Sequence, residues 1–133
     1  MNSTVSPNSI DYPQATITRA TRALVCSPFK LNLFTQMQKQ GISLQIIAGE
    51  VGINKNYVTK NLTENQAESY LVWLINVGLL RREVDGQGLT DSFRLTPLGR
   101  KLITQWQTQE KFPQPSAKDR LYNFINRWLE WSL

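Results

Sequence analysis

The tetrad Thr63-Glu64-Asn65-Gln66 constrains this chain more than any other feature. A threonine at a helix start accepts from the N–H three residues on. A glutamine at that third position reaches back to the threonine N–H, so the four residues make a capping box. The helix it opens is expected over 64–77, with Ala67, Tyr70, Leu71, Leu74 and Ile75 on its inner face. This helix cannot run on unbroken from Val58. At about 100° per residue, Val58 and Leu62 point nearly opposite to Ala67, Leu71 and Leu74, and one straight rod cannot bury both sets. Gly78 closes the helix. A strand follows over 79–84, then turn chemistry in Asp85-Gly86-Gln87-Gly88, then a second strand over 92–96 with Phe93 and Leu95 on one face. Thr96-Pro97 starts another helix, by cap and first-turn proline, carrying Leu98, Leu102, Ile103 and Trp106.

The rest of the chain divides around this block. Residues 1–27 read as a flexible tail or arm, in which 17–26 fits either a short helix or an arm. Ser27-Pro28 looks like a helix start, leading through Phe29, Leu31, Leu33, Phe34 and Met37 to Gly41. Ser43 caps a short helix with Leu44, Ile47, Ala48 and Val51 on one buried face, and Gly52 stops it. The polar stretch 54–62 is one helical turn or two. The folded domain is thus 28–106, followed by a linker over 107–115 and an amphipathic helix over 116–133.

Composition removes whole classes of chemistry. Histidine is absent and Cys26 is the one cysteine, which excludes most zinc sites, any triad built on histidine, and a disulfide within the chain. There is no glycine-rich phosphate loop and no metal-ligand cluster, so no enzyme activity, catalytic residue, metal or cofactor is expected. Fifteen basic residues against ten acidic give a net charge of +5. An anionic partner fits this charge, although the same charge also keeps a small domain soluble. No apolar run approaches the ~18 residues of a membrane span, and the first fourteen residues lack a secretion signal, so a cytoplasmic protein is expected.

The order of three helices, a hairpin and a helix carries a resemblance. Tyr70-Leu71-x-x-Leu74 before Gly78-Leu79-Leu80, the Asp85-Gly86 turn, and Arg94-Leu95-Thr96-Pro97-Leu98-Gly99 resemble the third helix, wing and following helix of winged-helix DNA-binding proteins. The chain is similar over 28–106 to the MarR and PadR regulators, and closer to small archaeal winged-helix proteins that dimerise through a C-terminal helix. The resemblance implies a mainly α fold with a two- to three-stranded β wing and a C-terminal helix. It also implies a homodimeric, sequence-specific binder of double-stranded DNA that regulates transcription. One departure stands out: 52–62 lies where the family runs almost directly into its recognition helix. Both 54–62 and 64–77 therefore compete for that role, and 64–77 is favoured because it abuts the wing and has the better cap.

On that helix the face away from the core carries Asn65, Ser69, Val72 and Asn76, flanked by Gln66 and Trp73. Amides pair with adenine, and valine can touch a thymine methyl. Phosphate contacts are expected from Lys55, Tyr57 and Lys60 before it, from Arg81 or Arg82, Gln87 and Arg94 on the wing, and from Arg100 and Lys101 after it. Against this stand Glu64 and Glu68 on the helix and Asp85 and Asp91 on the wing, with no Lys or Arg on the helix itself. The last helix carries Leu121, Phe124, Ile125, Trp128, Leu129 and Trp131. That is too much apolar surface to leave in water, and a two-fold dimer is the preferred means of covering it. The alternative function is a winged-helix protein-interaction module that uses this apolar helix and does not bind DNA.

Overall fold

The structure is a computed structural model that describes residues 11–107 and 117–132. It is mainly helical, with a small antiparallel sheet. Helix α1 is Gln14–Val25 and α2 is Leu31–Met37; strand β1 is Ile42–Ser43, followed by α3 (Leu44–Ile47), α4 (Gly49–Asn54) and α5 (Glu64–Asn76). Strands β2 (Leu80–Asp85) and β3 (Gly88–Leu95) then form a hairpin, and α6 (Pro97–Gln107) and α7 (Ala117–Ser132) complete the chain. No described helix is long and apolar enough to cross a membrane.

The capping box forms as the sequence predicts. The Thr63 hydroxyl accepts from the Gln66 N–H at 3.1 Å, and the Gln66 amide oxygen accepts from the Thr63 N–H at 3.0 Å. The helix buries Ala67, Leu71 and Leu74 against a core that includes Leu33, Phe34, Ile47, Leu79, Phe93 and Ile103. Gly78 leaves it at a φ of +91°, which a residue with a Cβ adopts only under strain. Thr96 starts α6 and also fastens it. Its hydroxyl donates to the Gly78 carbonyl at 2.5 Å and accepts from the Gly99 N–H at 3.1 Å. The end of α5 and the start of α6 therefore share one side chain.

The sheet order is β1-β3-β2, with Ile42 opposite Phe93 and Leu80 opposite Leu95. A register shift between Arg82 and Val84 bends the outer strand. Beyond it the hairpin carries Val84 and Leu89 opposite each other, 68% and 73% exposed.

Several expectations are corrected. Ser27-Pro28 does not start a helix. The Ser27 hydroxyl donates back to the Leu24 carbonyl at 2.8 Å and so finishes α1, while the Pro28 carbonyl accepts from the Thr59 N–H at 2.9 Å. Residues 14–25 are a packed helix rather than an arm, because Ala20, Ala23 and Leu24 form a buried stripe at helical spacing. The helix expected from Ser43 is two pieces. Gly49 takes a φ of +68° and donates its N–H to the Leu62 carbonyl at 2.7 Å, which breaks the rod. Gly52 lies inside α4 instead of ending it, and Val51 is 45% exposed instead of buried. Residues 55–63 form no helix. They are held in an irregular path by a bridge between Phe29 and Val58, and by Asn32 donating to the Lys55 carbonyl at 2.9 Å. The N-terminal ten residues, most of the 107–115 linker and the Ser116 cap lie outside the described residues.

Candidate nucleic-acid interface

Helix α5 presents its proposed base-facing side unevenly. Asn65, Gln66 and Asn76 are exposed, whereas Ser69 and Val72 are half-buried. Trp73 is 2% exposed and does not face outward at all. Its indole N–H donates to the Asn123 side-chain oxygen of α7 at 3.1 Å, and the Arg19 guanidinium of α1 lies 5.2 Å from its ring. An indole seldom leaves water unless its N–H finds a partner, and here α7 supplies one. The C-terminal half of α5 is therefore partly roofed by α1 and α7, while its first turn stays open.

The amide of Gln66 is also engaged, because its oxygen closes the capping box; its NH2 end stays available. The α5 N-terminus is a poor anion seat, with Thr63 capping it and Glu64 adding a carboxylate to its first turn.

The wing arginines are largely spoken for. Arg82 lies 3.5 Å from both Glu68 and Asp91, and its guanidinium sits 4.9 Å from the Phe93 ring centroid. Arg94 pairs with Glu83 at 3.6 Å. Arg81 points to the other side of the strand, as alternation requires, and is exposed. Asp85 has a structural task, accepting from the Gln87 N–H at 2.7 Å to shape the turn. Beyond the wing, Arg100 donates to the Gln38 carbonyl at 3.1 Å and Lys101 lies 5.6 Å from the Tyr12 ring. Both are committed to holding α6 against neighbouring elements.

Two cations without such a commitment lie on the loop before α5. Lys55 and Lys60 are exposed, and neither makes an ion pair among the described residues. Lys30 leans onto the same loop, its Nζ donating to the Asn56 side chain at 2.7 Å. Asn56 itself has a φ of +62°, a left-handed conformation that asparagine tolerates better than most residues. Tyr57 is buried in the core, so its ring is unavailable for stacking. Lys55, Lys60 and Asn61 are exposed on the loop, and Asn65 is exposed on the first turn of α5 beside Glu64. Sequence reasoning named the lysines but spread the contacts over the wing as well. It could not see which arginines would meet acids across the sheet.

Helix α7 docks on α1 and α5 through Asp119, Tyr122, Asn123 and Arg127. Arg22 pairs with Asp119 at 3.5 Å and stacks 4.7 Å from the Tyr122 ring, and Arg127 lies 4.6 Å from the Tyr70 ring. Leu121, Phe124, Ile125 and Trp128 are exposed on the other side. The side chains of Leu129 and Trp131 lie outside the described residues. Cys26 is half-buried near this junction; burial pushes its thiol above the ordinary value and Asp119 adds to the rise, so it stays protonated at neutral pH. Among the described residues there is no group of three or more metal-ligating side chains.

A family model described as Npun_F0494-like matches residues 10–127, nearly the whole chain, and the chain belongs to that family. No curated protein and no solved structure matches it.

Proposed function

We propose that this member of the Npun_F0494-like family is a winged-helix protein that binds double-stranded DNA and regulates transcription in the cytoplasm. The order of elements from α2 to β3 supports the winged-helix reading, as does a sheet in which β3 lies between β1 and β2. In that arrangement α5 is the recognition helix. The observation that carries DNA binding is the pair of lysines before it: Lys55 and Lys60 are exposed and carry no acid partner among the described residues, and the Asn65 amide on the first turn of α5 is exposed as well.

On this reading phosphate contact falls to the loop and base contact to the first turn of α5, with Arg81 as a further phosphate candidate. Phosphate contacts position a protein, while the amides choose the sequence. The paired wing arginines Arg82 and Arg94 contribute little, since Arg82 lies beside two carboxylates and Arg94 beside one, which leaves phosphate no net positive charge at either.

The footprint is testable with variants. The double substitution Lys55→Glu, Lys60→Glu is expected to weaken duplex binding by roughly 100-fold or more at low salt, since each change removes a counterion-releasing contact and adds repulsion. Arg82→Ala is expected to change it less than threefold. Fluorescence anisotropy with a labelled duplex reads both, and the reverse ranking would move the site to the wing. A second reading, a protein-interaction module without DNA affinity, is favoured by the outward apolar row on α7. It predicts no duplex binding by the unaltered chain even at low salt.

A further inference from the structure

We infer that α7 is an autoinhibitory latch on α5, which holds a duplex to the first turn of that helix until it lets go. The inference rests on the DNA-binding reading above and adds its regulation. Helix α7 lies against one flank of α5. Trp73 donates to Asn123 at 3.1 Å, and the Arg127 guanidinium lies 4.6 Å from the Tyr70 ring. Going up α5 from Tyr70 to Trp73 is thus going down α7 from Arg127 to Asn123, so the two helices pass in opposite directions. At about 100° per residue, Trp73 lies about 60° from the middle of the row Asn65, Ser69, Val72 and Asn76. A helix seated on Trp73 overhangs that row. Ser69 and Val72 are accordingly half-buried, while Asn65 on the first turn is exposed.

Width makes the overhang matter. The major groove is ~12 Å across, and one helix with its side chains fills ~10–12 Å of it. Two helices packed side by side, their axes ~8–10 Å apart, span ~20 Å and cannot enter together. Docked, α7 stops a duplex at Asn65 and Gln66; released, it lets Ser69, Val72 and Asn76 follow. The attachment is of a kind that opens. Asp119, Asn123 and Arg127 share one flank of α7 and meet Arg22, the Trp73 indole and the face of Tyr70. The apolar row stays outside, with Leu121 56%, Phe124 66% and Trp128 57% exposed. The polar groups regain water when the contact opens, so release costs less than unseating a helix held by its apolar side. With an open form of about 3%, the apparent affinity lies about 30-fold below that of the released protein.

The test uses the full chain, with duplex affinity read by fluorescence anisotropy at one fixed low salt. Arg22→Glu breaks the pair with Asp119 and is expected to raise the affinity about tenfold. The change removes positive charge, which alone weakens binding, so electrostatics cannot account for a rise. Arg22→Glu and Asp119→Arg together restore the pair in reverse and the parent's net charge. That double variant is expected to return to within about threefold of the parent. Asn123→Ala alters no charge and is expected to raise the affinity as Arg22→Glu does. Hydrogen exchange reads the latch without DNA: the α7 amides should exchange faster in both single variants than in the parent, with those of α6 unchanged. Faster exchange in α7 with the parent's affinity or a lower one overturns the latch and leaves the DNA reading standing. So does a rise in affinity with no change in α7 exchange. Failure of the parent and every variant to bind duplex overturns the DNA reading, and the latch with it.

Discussion

Replacing Trp73 with alanine is expected to destabilise the protein by about 3–5 kcal/mol, the cost of deleting a large buried aromatic. The side chain is 2% exposed, lies beneath α1 and α7, and gives the Asn123 oxygen its hydrogen bond. Its removal leaves a void, strips the ring from beside Arg19 and orphans a buried acceptor. Trp73→Phe keeps much of the volume but still loses the N–H, and should cost roughly 1–3 kcal/mol. Since a domain of this kind is stable by only ~5–15 kcal/mol in total, the alanine change should move the urea midpoint far down. A base-contacting tryptophan would behave the other way round, with stability unchanged and duplex affinity reduced. Urea unfolding of both variants decides, and a loss below about 1 kcal/mol in Trp73→Ala would show that α7 does not cover this face.

Gly52→Ala is the second large effect, and its sign runs against helix propensity. In an open helix, alanine in place of glycine stabilises by up to ~1 kcal/mol. Here a Cβ on Gly52 runs into the carbonyl oxygen of Ile47, which is backbone and cannot swing aside. Ile47 is itself fully buried at the end of α3, so the clash must push α3 and α4 apart. Overpacking of this kind costs about 3 kcal/mol, which outweighs the propensity gain. Thermal unfolding checks it, and an alanine variant as stable as the parent would mean that the two short helices meet less closely.

What could be read from the residues follows from how local each signal is. The capping box at Thr63, the hairpin turn at Asp85-Gly86 and the Thr96-Pro97 start each depend on a few adjacent residues, and each forms where expected. Ser27-Pro28 has the same local look and a different outcome, because a serine hydroxyl can finish the preceding helix as readily as begin the next. Periodicity joined Leu44, Ile47, Ala48 and Val51 into one helix. It had no means of showing that Leu62 would draw the Gly49 N–H out of that rod. The same limit governs the site. Arg82 and Arg94 were named from charge alone, while their neutralisation by Glu68, Asp91 and Glu83 arises only when strands and helix come together. Trp73 was assigned to the outward face from the helical wheel. Its position at the margin of that face was visible, but the polar row of α7 that accepts its N–H lies fifty residues away. For α7 the apolar stripe was legible, and the polar flank that anchors it was not weighed.

These corrections narrow the proposed interface and sharpen the account. A wing with paired arginines and an apolar tip at Val84 and Leu89 is a weak instrument for gripping phosphate. The lysine loop before α5 carries that task with two or three contacts per copy, so modest affinity and a modest salt dependence are expected. The most direct test of the central claim is a salt titration of duplex binding by the unaltered chain. With three phosphates neutralised per copy, the association constant for one copy should fall roughly 40-fold between about 50 and 200 mM salt. An affinity that does not change over that range, or no binding at the lower salt, would contradict it.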